Sequence, residues 1–240
     1  MWNAGVDEAG RGPVLGPLVV GAVAIPADDV HLLEDHGVKD SKHLTFSKRQ
    51  AFVEWFHEQA AERGWKYSLI VCPPERIDHG VQTTGLNVLE VELFAEALNE
   101  LRRSVDKPMT IMNDACDVNE QRFSDRIAVR LEHWPWENSS IESQHKADTN
   151  HTIVGMASIL AKVERDRHIH SLIQQLNIPL GSGYPSDPKT QASLHLLLNA
   201  DEPHTCLRWS WKTVKRAWKE MHGVDAPART YGTQQQRTLF

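Results

Sequence analysis

Residues 4–25 read Ala4-Gly5-Val6-Asp7-Glu8-Ala9-Gly10-Arg11-Gly12-Pro13-Val14-Leu15-Gly16-Pro17-Leu18-Val19-Val20-Gly21-Ala22-Val23-Ala24-Ile25, and they decide the fold class. Ala4-Gly5-Val6 predicts a strand that runs into the acid pair Asp7-Glu8. A bend rich in glycine and proline follows. Leu18 to Ile25 is then an apolar, valine-rich run of strand length. The chain therefore opens as strand, turn, strand, with two acids where the first strand ends.

Downstream, strands alternate with helices. Thr45 caps a helix that runs to about Arg63, with Phe52, Val53, Phe56 and Ala60 on one face and Gly64 as its stop. Lys66 to Val71 predicts a strand ended by Pro73-Pro74. Leu86 to Arg103 predicts an amphipathic helix, because Leu86, Leu89, Leu93, Ala97 and Leu101 keep helical period. Thr110-Ile111-Met112 is a short strand running toward Asp114. A helix over Glu120 to Leu131, a strand over Ser139 to His145 and a long helix over Ile153 to Leu176 follow. A loop spans Gly181 to Pro188, with further helices near Pro188–Asn199 and Trp211–Met221. The expected class is α/β: a mixed sheet flanked by helices, with a helical C-terminal lobe from about residue 188. Residues 1–225 are expected to form one catalytic-size domain, and 226–240 a loose polar tail.

Composition narrows the function. At 40% hydrophobic and 24% charged residues, the 240-residue chain is globular in character. No segment approaches the roughly 20 apolar residues of a membrane span, and Met1 to Asp7 shows no secretory pattern. Cys72, Cys116 and Cys206 are too far apart for a C-x-x-C pair, so a reducing, cytoplasmic compartment is expected. The net charge of −6 is uneven. Residues 1–161 hold 15 Lys+Arg against 25 Asp+Glu, whereas residues 162–240 hold 11 against 7. An acidic part joined to a basic part suits an enzyme that gathers cations in one place and phosphates in another, although a solvated surface accounts for it equally well.

Four acids stand where elements begin or end. Asp7 and Glu8 follow the first strand, Asp114 follows an apolar strand, and Asp148 precedes a helix in His145-Lys146-Ala147-Asp148. Each has a plain structural alternative: a solvated strand end for Asp7-Glu8, a helix N-cap for Asp148. Brought to one sheet edge, they suit hard divalent cations, and two such ions support phosphodiester hydrolysis with no side-chain nucleophile.

The segment Gly5-Val6-Asp7-Glu8-Ala9-Gly10-Arg11-Gly12-Pro13, with Gly16-Pro17 behind it, resembles the N-terminal signature of type 2 ribonucleases H. The resemblance continues at Asp40-Ser41-Lys42, at Asp114, at Lys146-Ala147-Asp148 and through Ala157 to Asp166. Gly181-Ser182-Gly183-Tyr184-Pro185 and Trp209-Ser210-Trp211-Lys212-Thr213 are similar to the archaeal and eukaryotic catalytic subunits of that family. These blocks keep the family's order across about residues 4–213.

The resemblance implies a ribonuclease H-like fold and an endonuclease acting on the RNA strand of RNA–DNA hybrids and 5′ of ribonucleotides embedded in duplex DNA. It implies Mg²⁺ or Mn²⁺ held by Asp7, Glu8, Asp114 and Asp148, with two-ion catalysis leaving 3′-hydroxyl and 5′-phosphate ends. Gly10, Arg11 and Gly12 match the loop whose backbone approaches the ribose 2′-hydroxyl, and Tyr184 matches a tyrosine at the RNA–DNA junction. Lys42 and Lys162 are candidate phosphate contacts. Asn113 departs from the more usual apolar residue, and Asp117 rivals Asp114 for the third carboxylate; Asp114 is preferred because it lies closer to the apolar strand. Arg165 and Asp166, also in a matched block, suit a local ion pair as well as a site role and are left out of the site. A different nuclease of the same fold would lack the Gly10-Arg11-Gly12 loop and Tyr184, and a non-catalytic subunit would have lost a carboxylate. The expected partners are nucleic acids, with no membrane and a monomeric chain. Finally, Gln236-Arg237-Thr238-Leu239-Phe240 resembles, incompletely, a sliding-clamp-binding peptide.

Overall fold

The computed structural model describes residues 1–38 and 44–230. Lys42 and the segment Gln236–Phe240 lie outside the described residues. Strand β1 (Trp2–Ala9) turns back through the glycine- and proline-rich bend into β2 (Leu18–Pro26), and the two pair antiparallel with Val6 opposite Ala22. After a 3-10 turn come helices α1 (Val30–Asp35) and α2 (Phe46–Arg63). Thr45 caps α2 by accepting from the Lys48 amide, and Gly64 ends it at φ 76°. Strand β3 (Lys66–Cys72) adds antiparallel to β2. Helices α3 (Pro74–Thr83) and α4 (Leu86–Ser104) lead to β4 (Met109–Asp114), which lies parallel to β1 on its other side. Helix α5 (Glu120–Ala128) and strand β5 (Ser140–Gln144), parallel to β4, complete the sheet in the order β3-β2-β1-β4-β5. The single-turn α6 (Ala147–Asn150), the long α7 (Thr152–Leu176), α8 (Pro188–Leu197) and α9 (Lys212–His222) follow.

The sheet carries helices on both faces. On one, Val20, Ala22 and Ile111 pack with Leu93, Phe94 and Leu98 of α4 and Phe123 of α5. On the other, Val23 and Ile25 pack with α7 through Val154, Ala157 and Leu160, and with Phe56 of α2. Helix α7 comes unusually close. A methyl group on Gly5 would lie 2.6 Å from the backbone of Ile153 and Val154, and one on Gly21 would lie 2.6 Å from the Ala157 carbonyl. Glycine at these two strand positions lets the helix backbone rest directly on the sheet. A third apolar cluster joins α8 and α9 to the β1–β2 bend, with Val14 and Leu15 against Leu197, Leu207 and Trp209.

The structure refines three of these readings. Pro73-Pro74 does more than end a strand: Pro74 opens α3, where its missing N–H costs nothing and its fixed φ suits the first turn. Asp148 is not the N-cap of the long helix. It sits inside α6, and His151 occupies the cap position of α7. The helix expected to reach Leu131 stops at Ala128.

Candidate active site

Strands β1 and β4 run side by side in parallel, and their register ends with Val6 opposite Asn113. One residue further along each strand stand Asp7 and Asp114. Asp7 shares a strand face with Gly5, so it looks toward α7. There Ser158 of α7 faces Asp7 and favours its charged form. One turn along, Lys162 donates from Nζ to Ser158 Oγ at 2.7 Å. Asp114 Oδ1 accepts from the Ala147 amide at 2.8 Å, which ties the end of β4 to α6 and so to Asp148. Asp148 Oδ1 in turn accepts from the Thr149 hydroxyl at 3.2 Å.

The electrostatics follow. Burial first, then the carboxylates of Asp114 and Asp148, push the Asp7 carboxyl up to about 7, against the lowering influence of Ser158 and Lys162. The Asp114 and Asp148 carboxylates thus repel that of buried Asp7 where β1 and β4 end. That donor set suits a hard divalent cation, which would remove the repulsion that raises Asp7.

Glu8 points to the opposite face. Its Oε2 accepts from the Cys116 thiol at 3.3 Å, and burial, Asp7 and then Glu90 push its carboxyl well above the usual range. Glu90, on α4, is fully buried and takes Arg11 Nε on Oε1 at 2.6 Å. Asn87, one helix residue triplet earlier, accepts from the same guanidinium at 2.8 Å. Glu90 was missed in the sequence, although a signal was available: it falls on the apolar stripe with Phe94, Ala97 and Leu101, where an acid has no structural reason to sit.

The Gly10–Gly12 loop is held from behind by the C-terminal segment. Gly10 has φ +90°, and a side chain there would strike Arg165. The buried Arg208 donates to the carbonyls of Gly10 at 2.6 Å, Arg11 at 3.0 Å and Gly16 at 3.0 Å. Burial, then Arg165, pushes its guanidinium down to about 9, so it stays charged at neutral pH. Trp211, with Arg208 4.9 Å above its ring, donates to the Gly12 carbonyl at 3.3 Å. In a planar trans peptide the N–H points opposite to the C=O. With the carbonyls of Gly10 and Arg11 fixed on Arg208, the N–H groups of Arg11 and Gly12 therefore point away from it. Arg208 stood beside a matched block and escaped notice because its partners lie almost 200 residues away in the chain.

A cleft of about 310 Å³ lies beside this loop, lined by Glu8, Gly10, Arg11, Arg49, Lys162, Arg165 and Tyr184 among others. Tyr184 is 41% exposed and would lie 3.5 Å from a side chain placed on Gly12. Arg165 does not pair with Asp166. It lies 5.6 Å from the Tyr184 ring centre and donates to the Ser182 carbonyl, while Asp166 takes Arg49 at 2.7 Å. The larger cavity, about 580 Å³ between Pro74, Leu172, Trp209 and Arg229, touches none of the candidate residues. Asp117, the rival acid, is engaged elsewhere. Arg122 first, then the Asn119 amide and Arg126, hold its carboxyl down at about 2.

The acids at the ends of β1 and β4, the glycine loop and Tyr184 thus share one sheet edge. Residues 4–214 match the family described as Ribonuclease HII. The chain belongs to the ribonuclease HII family. The ribonuclease HII of Thermococcus onnurineus is 42% identical over 217 residues, 90% of this chain and 89% of its own length. The ribonuclease H2 structure from Pyrococcus horikoshii superposes with a TM-score of 0.79 at 38% identity, covering 92% of this chain and 98% of that one. The structure of a PCNA:RNase HII complex from Archaeoglobus fulgidus matches with a TM-score of 0.74 at 33% identity, over 88% of this chain and 96% of that one. The fold is accordingly ribonuclease H-like, with a helical C-terminal region. The enzyme is a metal-dependent nuclease, a ribonuclease HII that hydrolyses RNA in RNA–DNA hybrids.

Proposed function

We propose that Asp7, Glu8, Asp114 and Asp148 are the catalytic carboxylates, that they hold two Mg²⁺ or Mn²⁺ ions, and that the enzyme also cuts 5′ of single ribonucleotides in duplex DNA. The observation that carries this reading is the convergence of Asp7, Asp114 and Asp148, with the Asp7 carboxyl pushed up to about 7 by burial and by the other two acids. When bound, the ions supply an activated water and charge stabilisation for the leaving oxygen. The chain's own groups do the rest. Gly10, Arg11 and Gly12 present backbone N–H groups, close enough to approach a ribose, as readers of the 2′-hydroxyl that separates RNA from DNA. Tyr184 offers a flat exposed face for the sugar on the DNA side of the junction. Lys162, and Lys42 outside the described residues, contact phosphates. Arg165, behind Tyr184, keeps the tyrosine ring in place.

The same reading extends to the tail. A relative from Archaeoglobus fulgidus was solved as a PCNA complex, and Gln236–Phe240 of this chain is proposed to dock on a sliding clamp. The catalytic chain itself acts as a monomer. The test of the central reading is a DNA duplex holding one ribonucleotide, with the cut mapped and the ends identified. A cut on the 5′ side leaving 3′-hydroxyl and 5′-phosphate ends is expected. A cyclic phosphate product would mean attack by the 2′-hydroxyl and would remove the two-ion reading.

A further inference from the structure

Behind Glu8, on the sheet face away from α7, lies a second set of ligand atoms. Glu8, Glu90 and Cys116 each bring one within 4.8 Å of the other two. This is no solvated acidic patch. Glu90 is fully buried, and while its Oε1 takes Arg11, its Oε2 has no hydrogen-bond partner among the described residues. A buried carboxylate oxygen left without a donor is costly, and it marks a place for a positive group.

We propose that Glu8, Glu90 and Cys116 form a binding site for a thiophilic divalent cation, Zn²⁺ foremost, and that occupation of this site inhibits the enzyme. The donor set decides the ion. A thiolate selects Zn²⁺ or Cd²⁺ over Mg²⁺, which keeps to oxygen ligands. The spacing also suits it. Tetrahedral zinc with sulfur at about 2.3 Å and oxygen at about 2.0–2.2 Å spaces its sulfur and oxygen ligands roughly 3.5–3.7 Å apart. Cys116 Sγ and Glu8 Oε2 stand 3.3 Å apart and Glu90 brings an oxygen within 4.8 Å of both, so small side-chain shifts complete the set. Charge agrees as well. Two carboxylates and a thiolate beside the Arg11 guanidinium leave two negative charges, which one divalent ion balances. The proton it displaces is the one Cys116 now donates to Glu8.

Inhibition follows because this cation would hold Glu8 on the face where it now lies and keep it from turning to the Asp7–Asp114 side. That step rests on the proposed catalytic place of Glu8; the cation site does not. The probe is Cd²⁺ titrated into the metal-free full-length chain, read by the ultraviolet charge-transfer band of a cadmium thiolate. One equivalent should develop the band. Cys116→Ser should lose it, and Glu90→Gln should weaken Cd²⁺ binding at least about tenfold. Zn²⁺ should inhibit Mg²⁺-supported cleavage, with at least about tenfold more Zn²⁺ needed in Cys116→Ser. Absence of the band, or a band of equal size in Cys116→Ser, would overturn the site. A band that depends on Cys116 but leaves cleavage untouched would uphold the site and remove Glu8 from the catalytic set.

Discussion

Asp7 stores the electrostatic tension of the site. Burial, then Asp114 and Asp148, bring its carboxyl up to about 7, against roughly 3.9 in an unfolded chain. Between about pH 4 and pH 7 the folded chain therefore holds a proton that the unfolded chain has released. The stability from this group is complete below the unfolded value and is lost as pH rises through the folded one. A divalent cation reverses the balance by favouring the carboxylate. Mg²⁺ or Mn²⁺ should thus raise the melting midpoint more at about pH 8 than at about pH 5, by a few degrees if the difference is roughly 1–2 kcal/mol. Asp7→Asn should flatten that difference in a thermal melt; equal stabilisation of the native chain at both pH values would contradict the sign. Asp114→Asn should lower cleavage at least about a hundredfold. Its affinity for a hybrid should stay within a few-fold in a binding titration, because phosphate contacts carry affinity. Near-native turnover in Asp114→Asn would take that residue out of the site.

Among the elements, four meet to build the site: β1, β4, α6 and α7. Gly5 and Gly21 let α7 lie on the sheet, and this close approach brings Ser158 and Lys162 to Asp7. The glycine loop is a separate device, anchored by Arg208 and Trp211. Arg208→Lys cannot span three carbonyls with a point charge. Loss of one or two charge-assisted hydrogen bonds, each about 1.5–3 kcal/mol, should lower kcat/KM on a single-ribonucleotide duplex by roughly tenfold or more. Affinity for all-DNA duplex should be unchanged, since no ribose is read there. An equal loss on both would assign Arg208 to general stability. Most of these elements were legible in the sequence because they obey local rules: the period of Leu89, Leu93 and Leu101, the Thr45 cap, the Gly64 stop. Helix α3 was hidden because Pro74 was read as a terminator when it serves as a first-turn residue.

For the molecule as a whole, the chain closes on itself. Residues near its C-terminus hold a loop near its N-terminus, through Arg208 on Gly10 and Arg11. Pairings of this kind leave no local trace, which is why Arg208, the Arg11–Glu90 pair and the Cys116–Glu8 contact could not be read from spacing. The four acids were legible as strand-end or helix-start residues, but the meeting of Asp7, Asp114 and Asp148 depended on the parallel register of β1 and β4 and on the tie from Asp114 to α6, which no single segment encodes. The tail is a prediction of the same scale. Deleting Gln236–Phe240 should abolish binding to a sliding clamp while leaving unassisted cleavage intact, since tethering raises local concentration without altering the site. Clamp binding that survives the deletion would refute the tail's role. The most direct measurement is anomalous diffraction at the manganese edge from crystals of the full-length chain grown with Mn²⁺ and an RNA–DNA hybrid. Two peaks among Asp7, Glu8, Asp114 and Asp148 are the expected result; manganese bound elsewhere, with those four carboxylates left without a cation, would contradict it.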